Sequence, residues 1–412
     1  MGTDTSSPIN WPMLATLLGI GVMASFSGGL INPNIPEIQS TYSHLDNSET
    51  LAQLVSTMSA PIVVIVAPIV GIMLDKYRRK PILIAAIIIY GIGTSIAFFL
   101  DSLYLILATR ILDGIAVATV MVTIPTLIAD YYSGGRRETI MGWYSAVSAG
   151  AGAIAVVLGG LIADFNWRYL FLVYALALLL LPPVIRYLHE PVVTQEESSA
   201  SDDIGRLEAV RKIIRDSPAL LLLGIYGVVV FGYLTNNLIQ IEVPYYLQDS
   251  LDISGSLTGI ALSAAMLAGF VAAALYGRIK SRLRHGTIVV IAFAVASVGY
   301  VLIGLTQSFA LIFIGIVIGA GGLGLILPTA NDWVAAAVDK EYRGRALSGV
   351  TMMMYLGFAI SPFAPAPLIN EFGRATTLTM WGGALVVIAV FALVIKQTSG
   401  RQSPSIASQD QS

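Results

Sequence analysis

The sequence predicts an all-α membrane protein of twelve transmembrane helices in two pseudo-symmetric six-helix bundles. Three observations predict it: a composition too apolar for water, a regular series of apolar segments, and a repeat that divides the chain in two. The chain has 412 residues, of which 56% are hydrophobic and 12% charged. A soluble domain carries about 25% charged residues, so most of this surface is built to face something other than water.

A bilayer-crossing helix needs about 20 mostly apolar residues. Such segments fall near 12–32, 52–74, 81–100, 103–131, 140–163 and 168–188. A second set falls near 218–247, 254–277, 286–305, 308–335, 345–369 and 375–396. No Lys or Arg precedes the first of them, and its apolar stretch Trp11–Ile31 exceeds a signal h-region, so it is read as a span rather than a leader.

Basic residues orient the set, because loops rich in Lys and Arg stay in the cytoplasm. Lys76, Arg78, Arg79 and Lys80 lie in the second loop, Arg136 and Arg137 in the fourth, and Arg278, Lys280, Arg282 and Arg284 in the eighth. Only Arg168 and Arg374 fall in odd-numbered loops and Arg110 inside a span, which leaves 20 of 23 basic residues on one side. Both termini are therefore expected in the cytoplasm of a cell-membrane protein.

The domain reading follows. Residues 1–188 form the first bundle, 189–217 a cytoplasmic linker, 218–397 the second bundle and 398–412 a disordered tail. Within the linker, Ile204, Leu207, Val210 and Ile214 recur at helical spacing among Arg206, Arg211, Lys212 and Arg215, which predicts a short amphipathic helix on the inner leaflet.

The two halves repeat. Ile124-Pro125-Thr126-Leu127-Ile128-Ala129-Asp130 returns as Leu327-Pro328-Thr329-Ala330-Asn331-Asp332, and Arg136, Arg137 and Gly142 return as Arg343, Arg345 and Gly349. An even number of spans per half makes the repeat parallel, and such halves can rock about a midplane site to give alternating access.

Gly71-Ile72-Met73-Leu74-Asp75-Lys76-Tyr77-Arg78-Arg79-Lys80 resembles the signature loop of the major facilitator superfamily, with Arg78 where the family usually has Gly. Arg110-Ile111-Leu112-Asp113-Gly114 resembles its fourth-span motif, with Asp113 in place of Gln. Gly142 to Gly160 resembles the fifth-span motif of the antiporters, although Ala155-Val156 replaces its Gly-Pro. The resemblance implies the major facilitator fold. It also implies a cytoplasmic gate of Gly71, Asp75, Lys76, Arg79, Lys80 and Asp130, in which Asp75 faces the start of span eleven and Arg79 pairs with Asp130. Helix dipoles independently make Asp75, Arg79, Lys80 and Asp130 misplaced charges that need partners. The plainer alternative is that these charges only set topology.

Arg110 and Asp113 lie deep in span four, where a charge costs about 2.5–3.5 kcal/mol on insertion scales. Three residues apart, they share a helix face. Two readings stand: a structural ion pair, or a proton or cation site at Asp113 tuned by Arg110. Span seven carries Tyr233, Asn236, Asn237 and Gln240, with Glu242 near its outer end. These are either interhelical glue or the lining of a substrate cavity, to which Phe26, Tyr144, Tyr226 and Tyr355 would add aromatic walls. Pro362, Pro365 and Pro367 predict a kinked span eleven.

The chain has no cysteine, and His44, His189 and His285 all fall in expected loops. No Gly-x-x-x-x-Gly-Lys-Ser/Thr loop occurs, so ATP-driven pumping is not expected. Neither an enzyme, a cofactor, a metal site nor a nucleic-acid partner is expected. The expectation is a monomeric secondary transporter resembling the drug:proton antiporters, exporting small lipophilic molecules against protons or another coupling cation. Uptake or uniport of a metabolite, and lipid handling, remain the alternatives.

Overall fold

The computed structural model describes residues 10–190, 219–338 and 342–400. The chain is helical throughout these stretches. Ten helical runs are long and apolar enough to cross a membrane: α1 (Trp11–Thr41), α2 (Ser48–Leu74), α3 (Arg79–Phe99), α4 (Leu103–Tyr131), α5 (Gly134–Ala163), α6 (Trp167–Tyr187), α7 (Leu221–Leu251), α8 (Gly255–Lys280), α9 (His285–Leu305) and α10 (Phe309–Ala337). Two further helices follow, α11 (Arg343–Ile360) and α12 (Arg374–Gly400), separated by a short helix Ala366–Phe372. The amphipathic linker helix expected at 204–216 lies outside the described residues, as does the tail from 401. Residues 398–400, expected in that tail, continue α12.

Proline and glycine chemistry sets the irregularities. In α1 the helix Trp11–Gly29 stops, and a single turn Asn32–Asn34 leads into Ile35–Thr41. Pro33 and Pro36 supply no backbone N–H to continue the ladder. The expected kink of span eleven is a full break: α11 ends at Ile360, and the chain restarts at Ala366 after Pro362 and Pro365. With two prolines four positions or fewer from the break, too few donors remain to hold one helix. In α3 the segment Ile89–Thr94 widens to a π-helix. Its Gly91 lies against α6 so closely that an added Cβ would meet Leu178 Cγ at 2.6 Å.

Two buried clusters organise the packing. One gathers residues between Met13 and Leu188, joined by Ile241 and Tyr245 of α7. The other gathers residues between Leu222 and Ala389, joined by Val156 of α5. Large apolar side chains such as Ile65, Phe99, Leu179 and Val387 are exposed on the outside of the bundle, the arrangement expected where the surrounding solvent is hydrocarbon.

The contacts between the two halves are unevenly distributed along the helices. At the end opposite the basic loops, Gln248 Nε2 donates to the Pro33 carbonyl at 2.8 Å, and Asp164 accepts from the Ser256 N–H at 3.2 Å. There α5 and α8 touch backbone to backbone, and a Cβ added at Gly160 would lie 2.9 Å from Gly259 Cα. Near the basic loops, Cβ atoms added at Gly71, Gly142 or Gly277 would meet nothing within 4 Å. The inter-half hydrogen bonds of Gln248, Asp164 and Asn32 and the Arg374–Glu49 ion pair all lie at mid-depth or at the far end. The space between the halves is closed at the far end and open toward the basic loops.

Candidate functional site: a charge-free central cavity with a buried carboxylate behind its wall

Two adjoining cavities lie near mid-depth, the first between the halves and the second within the second half, among α7, α8 and α10. The first, about 270 Å³, is lined by α1, α2, α4, α7, α8 and α11 residues that include Ser27, Asn32, Ser56, Asn236 and Tyr355. The second, about 250 Å³, is lined by Tyr233, Met266, Leu323 and Pro328 among others. Asn236, Gln240 and Met266 border both, so they form the partition between the two. Among the described residues no Asp, Glu, Lys, Arg or His lines either one.

Of the residues the sequence nominated, Tyr233, Asn236, Asn237, Gln240 and Tyr355 line these cavities. Phe26 and Tyr144 do not. Phe26 packs against the first core, and the Tyr144 ring lies over Gly21, filling the space a Cβ there would need. Tyr226 is also turned away, with its hydroxyl donating to the Ala346 carbonyl at 2.9 Å. The lining side chains differ in how committed they are. Asn237 donates to Ser361 Oγ at 2.7 Å, beside the α11 break, and Gln240 accepts from Asn32 Nδ2 at 3.3 Å. Tyr355 donates to Met121 Sδ at 2.6 Å, across the halves. Asn236 makes no hydrogen bond among the described residues, which leaves its amide available to a ligand.

Arg110 and Asp113 are both fully buried, at 0% exposure. They do not form the ion pair that their spacing suggested, because each side chain turns to a different neighbour. The Arg110 guanidinium stands 5.2 Å from the ring centres of both Phe171 and Tyr174 on α6. Its one hydrogen bond is a long 3.5 Å contact to Thr109 Oγ1, and Nε and Nη1 have no partner. Two cation–π contacts, each worth about 2 kcal/mol when desolvated, offset part of the burial cost. Asp113 faces α1 instead, where Ser27 Oγ donates to Oδ2 at 2.5 Å while Oδ1 has no hydrogen-bond partner. Ser27 lines the first cavity. The carboxylate thus sits one hydroxyl behind the cavity wall. Tyr174 and Tyr90 brace the arrangement by donating to the Ser27 and Met23 carbonyls at 2.7 and 2.6 Å.

At the basic-loop end Arg79 pairs with Asp130. The misplaced charges also find a partner that sequence reasoning missed: Glu190. Its carboxylate accepts from the Arg79 and Lys80 backbone N–H groups at 2.5 and 3.3 Å, capping α3. Lys80 Nζ donates to the Ile185 and Leu188 carbonyls at 2.7 and 2.8 Å, capping α6. Each charge therefore meets a helix end of favourable sign. Lys76 is exposed, Gly71 has open space beside it, and the Asp75 side chain lies outside what the structure describes. Ser27, Asn32 and Ser56 were missed too, since small polar residues in a span carry no individual signal.

Comparison with known proteins bears on the whole chain, which matches the Major Facilitator Superfamily over residues 17–240 and 225–411. The chain belongs to that family. It is a multi-pass membrane secondary transporter of a small molecule, not an enzyme. It is 23% identical over 373 residues to the bacillibactin exporter of Bacillus subtilis (strain 168), covering 87% of this chain and 90% of that one. It is 23% identical over 392 residues to the class D tetracycline resistance protein of Salmonella ordonez, covering 94% and 96%. Among solved structures it superposes on a bacterial homolog of the human lysosomal transporter Spinster, inward-facing and unoccupied. The TM-score is 0.77, the identity 17% and the coverage 97% of this chain. At that identity the likeness speaks for the fold alone.

Proposed function

We propose that this transporter exports small, rather lipophilic molecules in exchange for protons, with Asp113 as the proton site and Arg110 as its electrostatic tuner. The observation that carries the proposal is the pairing of a cavity wall without formal charge and a titratable carboxylate one hydroxyl behind it, at Ser27. A neutral wall selects against strongly charged metabolites, which would enter without a counter-charge. The carboxylate supplies an ionisable group where a passenger can sense its protonation. The exporters among the relatives support the direction. The reading includes twelve spans, α11 and α12 completing the set, and a monomer whose termini and basic loops face the cytoplasm. The open side of the cavity is then the cytoplasmic one. Asn236 is the principal polar contact of the passenger, Tyr233, Asn237, Gln240 and Tyr355 shape the rest, and the Gly71–Lys80 loop with Asp130 gates the cytoplasmic side when it closes.

The test is purified protein in proteoliposomes with an imposed pH gradient and a panel of dyes, drugs and metabolites. Proton flux opposite to substrate flux is expected, together with its loss in Asp113→Asn. Transport that is indifferent to pH and survives Asp113→Asn would overturn the assignment. Ala155-Val156, standing where antiporters carry Gly-Pro, favours uptake as a second reading. The same assay separates the two, because symport moves protons with the substrate.

A further inference from the structure

The far end of the interface holds a charge cluster with no part in the reading above. Glu242 of α7 is 1% exposed. Gln53, from α2 in the opposite half, donates to its Oε1 at 2.9 Å. Its Oε2 lies 3.4 Å from Arg374 Nε, yet neither atom makes a hydrogen bond. Arg374 is engaged elsewhere: its Nη2 donates to Glu49 Oε1, again from the opposite half, at 2.5 Å, and its guanidinium stands 4.3 Å from the centre of the Tyr245 ring. Asp249 is the remaining charged group near the cluster, and it is exposed. A polar cavity of about 270 Å³, bordered by Glu49, Gln53 and Glu242, adjoins the cluster.

One guanidinium is therefore shared by two carboxylates, one of them buried, and the better-placed hydrogen bond goes to the more exposed Glu49. With both carboxylates ionised the closed cluster carries an excess negative charge in a low-dielectric seam. When the halves part at this end, Glu49 and Gln53 leave with α2 while Glu242 and Arg374 stay together in the second half. The excess charge then disappears into water and a one-to-one pair.

We propose that Glu242 is a proton-binding site that closes the outer gate: it takes a proton from the external side as Glu49 and Gln53 close over it. The step forms one O–H bond at the Glu242 carboxylate and breaks one in a hydronium ion on the external side, which is left as water. The protonated carboxyl needs no cation, which leaves Arg374 to Glu49 and removes the uncompensated charge. By linkage, a state that binds an extra proton is favoured by acid. External acid closes this end and external alkali opens it. The inference rests on alternating access but not on the role of Asp113.

The absence of cysteine allows the test to be clean. Cysteines placed at Thr50 and Asn370, which line the polar cavity from opposite halves, would carry spin labels for distance measurement in lipid nanodiscs from acid to alkaline pH. In the labelled parent, the short-distance population should fall as pH rises. Glu242→Gln should hold the short distance at every pH. Glu49→Gln removes the surplus charge, so its short-distance population should depend on pH less steeply than the parent's. Asp113→Asn should leave the midpoint where it was, even if it abolishes coupled transport. A Glu242→Gln profile with the parent's midpoint, or a pH-independent parent, would overturn the proposal. If Glu242→Gln fails to insert, a Glu49→Gln profile as steep as the parent's does the same.

Discussion

Replacing Gly160 with Ala probes the closed seam between α5 and α8. The new Cβ would stand 2.9 Å from Gly259 Cα and 3.1 Å from Gly259 N, and closer still to the Gly255 carbonyl oxygen. All of these are backbone atoms of the opposite half, so no side chain can turn aside. Overpacking of this kind costs about 1–3 kcal/mol, and it is felt only while the far ends are together. At about 1.4 kcal/mol per tenfold, the equilibrium should shift toward the form open at the far end by roughly 5- to 150-fold. The assay is reaction of a single cysteine at Ser25, a cavity-lining position, with a membrane-impermeant thiol reagent added on the outer side. The Gly160→Ala background should react faster by a factor in that range. Gly159→Ala serves as the contrast, since its Cβ would meet Leu30 within the same half; it should lower stability in both states without changing the partition. An unchanged reaction rate in correctly inserted Gly160→Ala protein would refute the claim that this seam closes the far end.

Other outcomes follow from single contacts. Asn236→Ala should raise the KM for a transported substrate by about tenfold, the value of one hydrogen bond of about 1 kcal/mol or slightly more, while leaving proton stoichiometry unchanged; substrate-dependent flux in proteoliposomes checks both. Glu190→Ala removes the cap of α3 and should cost about 0.5–2 kcal/mol, seen as a lowered melting temperature in detergent. Arg110→Lys keeps the charge but not the planar fit between Phe171 and Tyr174, so it should insert normally and weaken coupling. Normal coupling in that variant would remove Arg110 from the proton site.

The sequence carried the helical layout because hydrocarbon thickness imposes a period that survives any local irregularity. The π-segment of α3 and the break after Ile360 were less legible. Proline announces a disturbance, but the neighbouring helices decide between kink and gap. At the site, long charged side chains announced themselves by their cost, so Arg110, Asp113, Arg79 and Asp130 were visible. Their partners were not. The spacing of Arg110 and Asp113 suggested mutual neutralisation, whereas packing gave each a different helix, α6 and α1. Glu190 and Ser27 come from distant segments, and only tertiary contact reveals what they serve. Arg374 did leave a trace, as one of two basic residues on the side otherwise free of them.

The separation of Arg110 from Asp113 has an electrical consequence. Arginine stays cationic at any physiological pH, so the buried core of the first half is neutral when Asp113 is ionised and carries one positive charge when it is protonated. The cavity walls add no compensating charge. With an uncharged passenger, the two legs of the cycle then differ by one elementary charge crossing the membrane field, worth about 2.3 kcal/mol per 100 mV. Exchange would be electrogenic, and membrane voltage alone would drive substrate outward even where internal and external pH are equal.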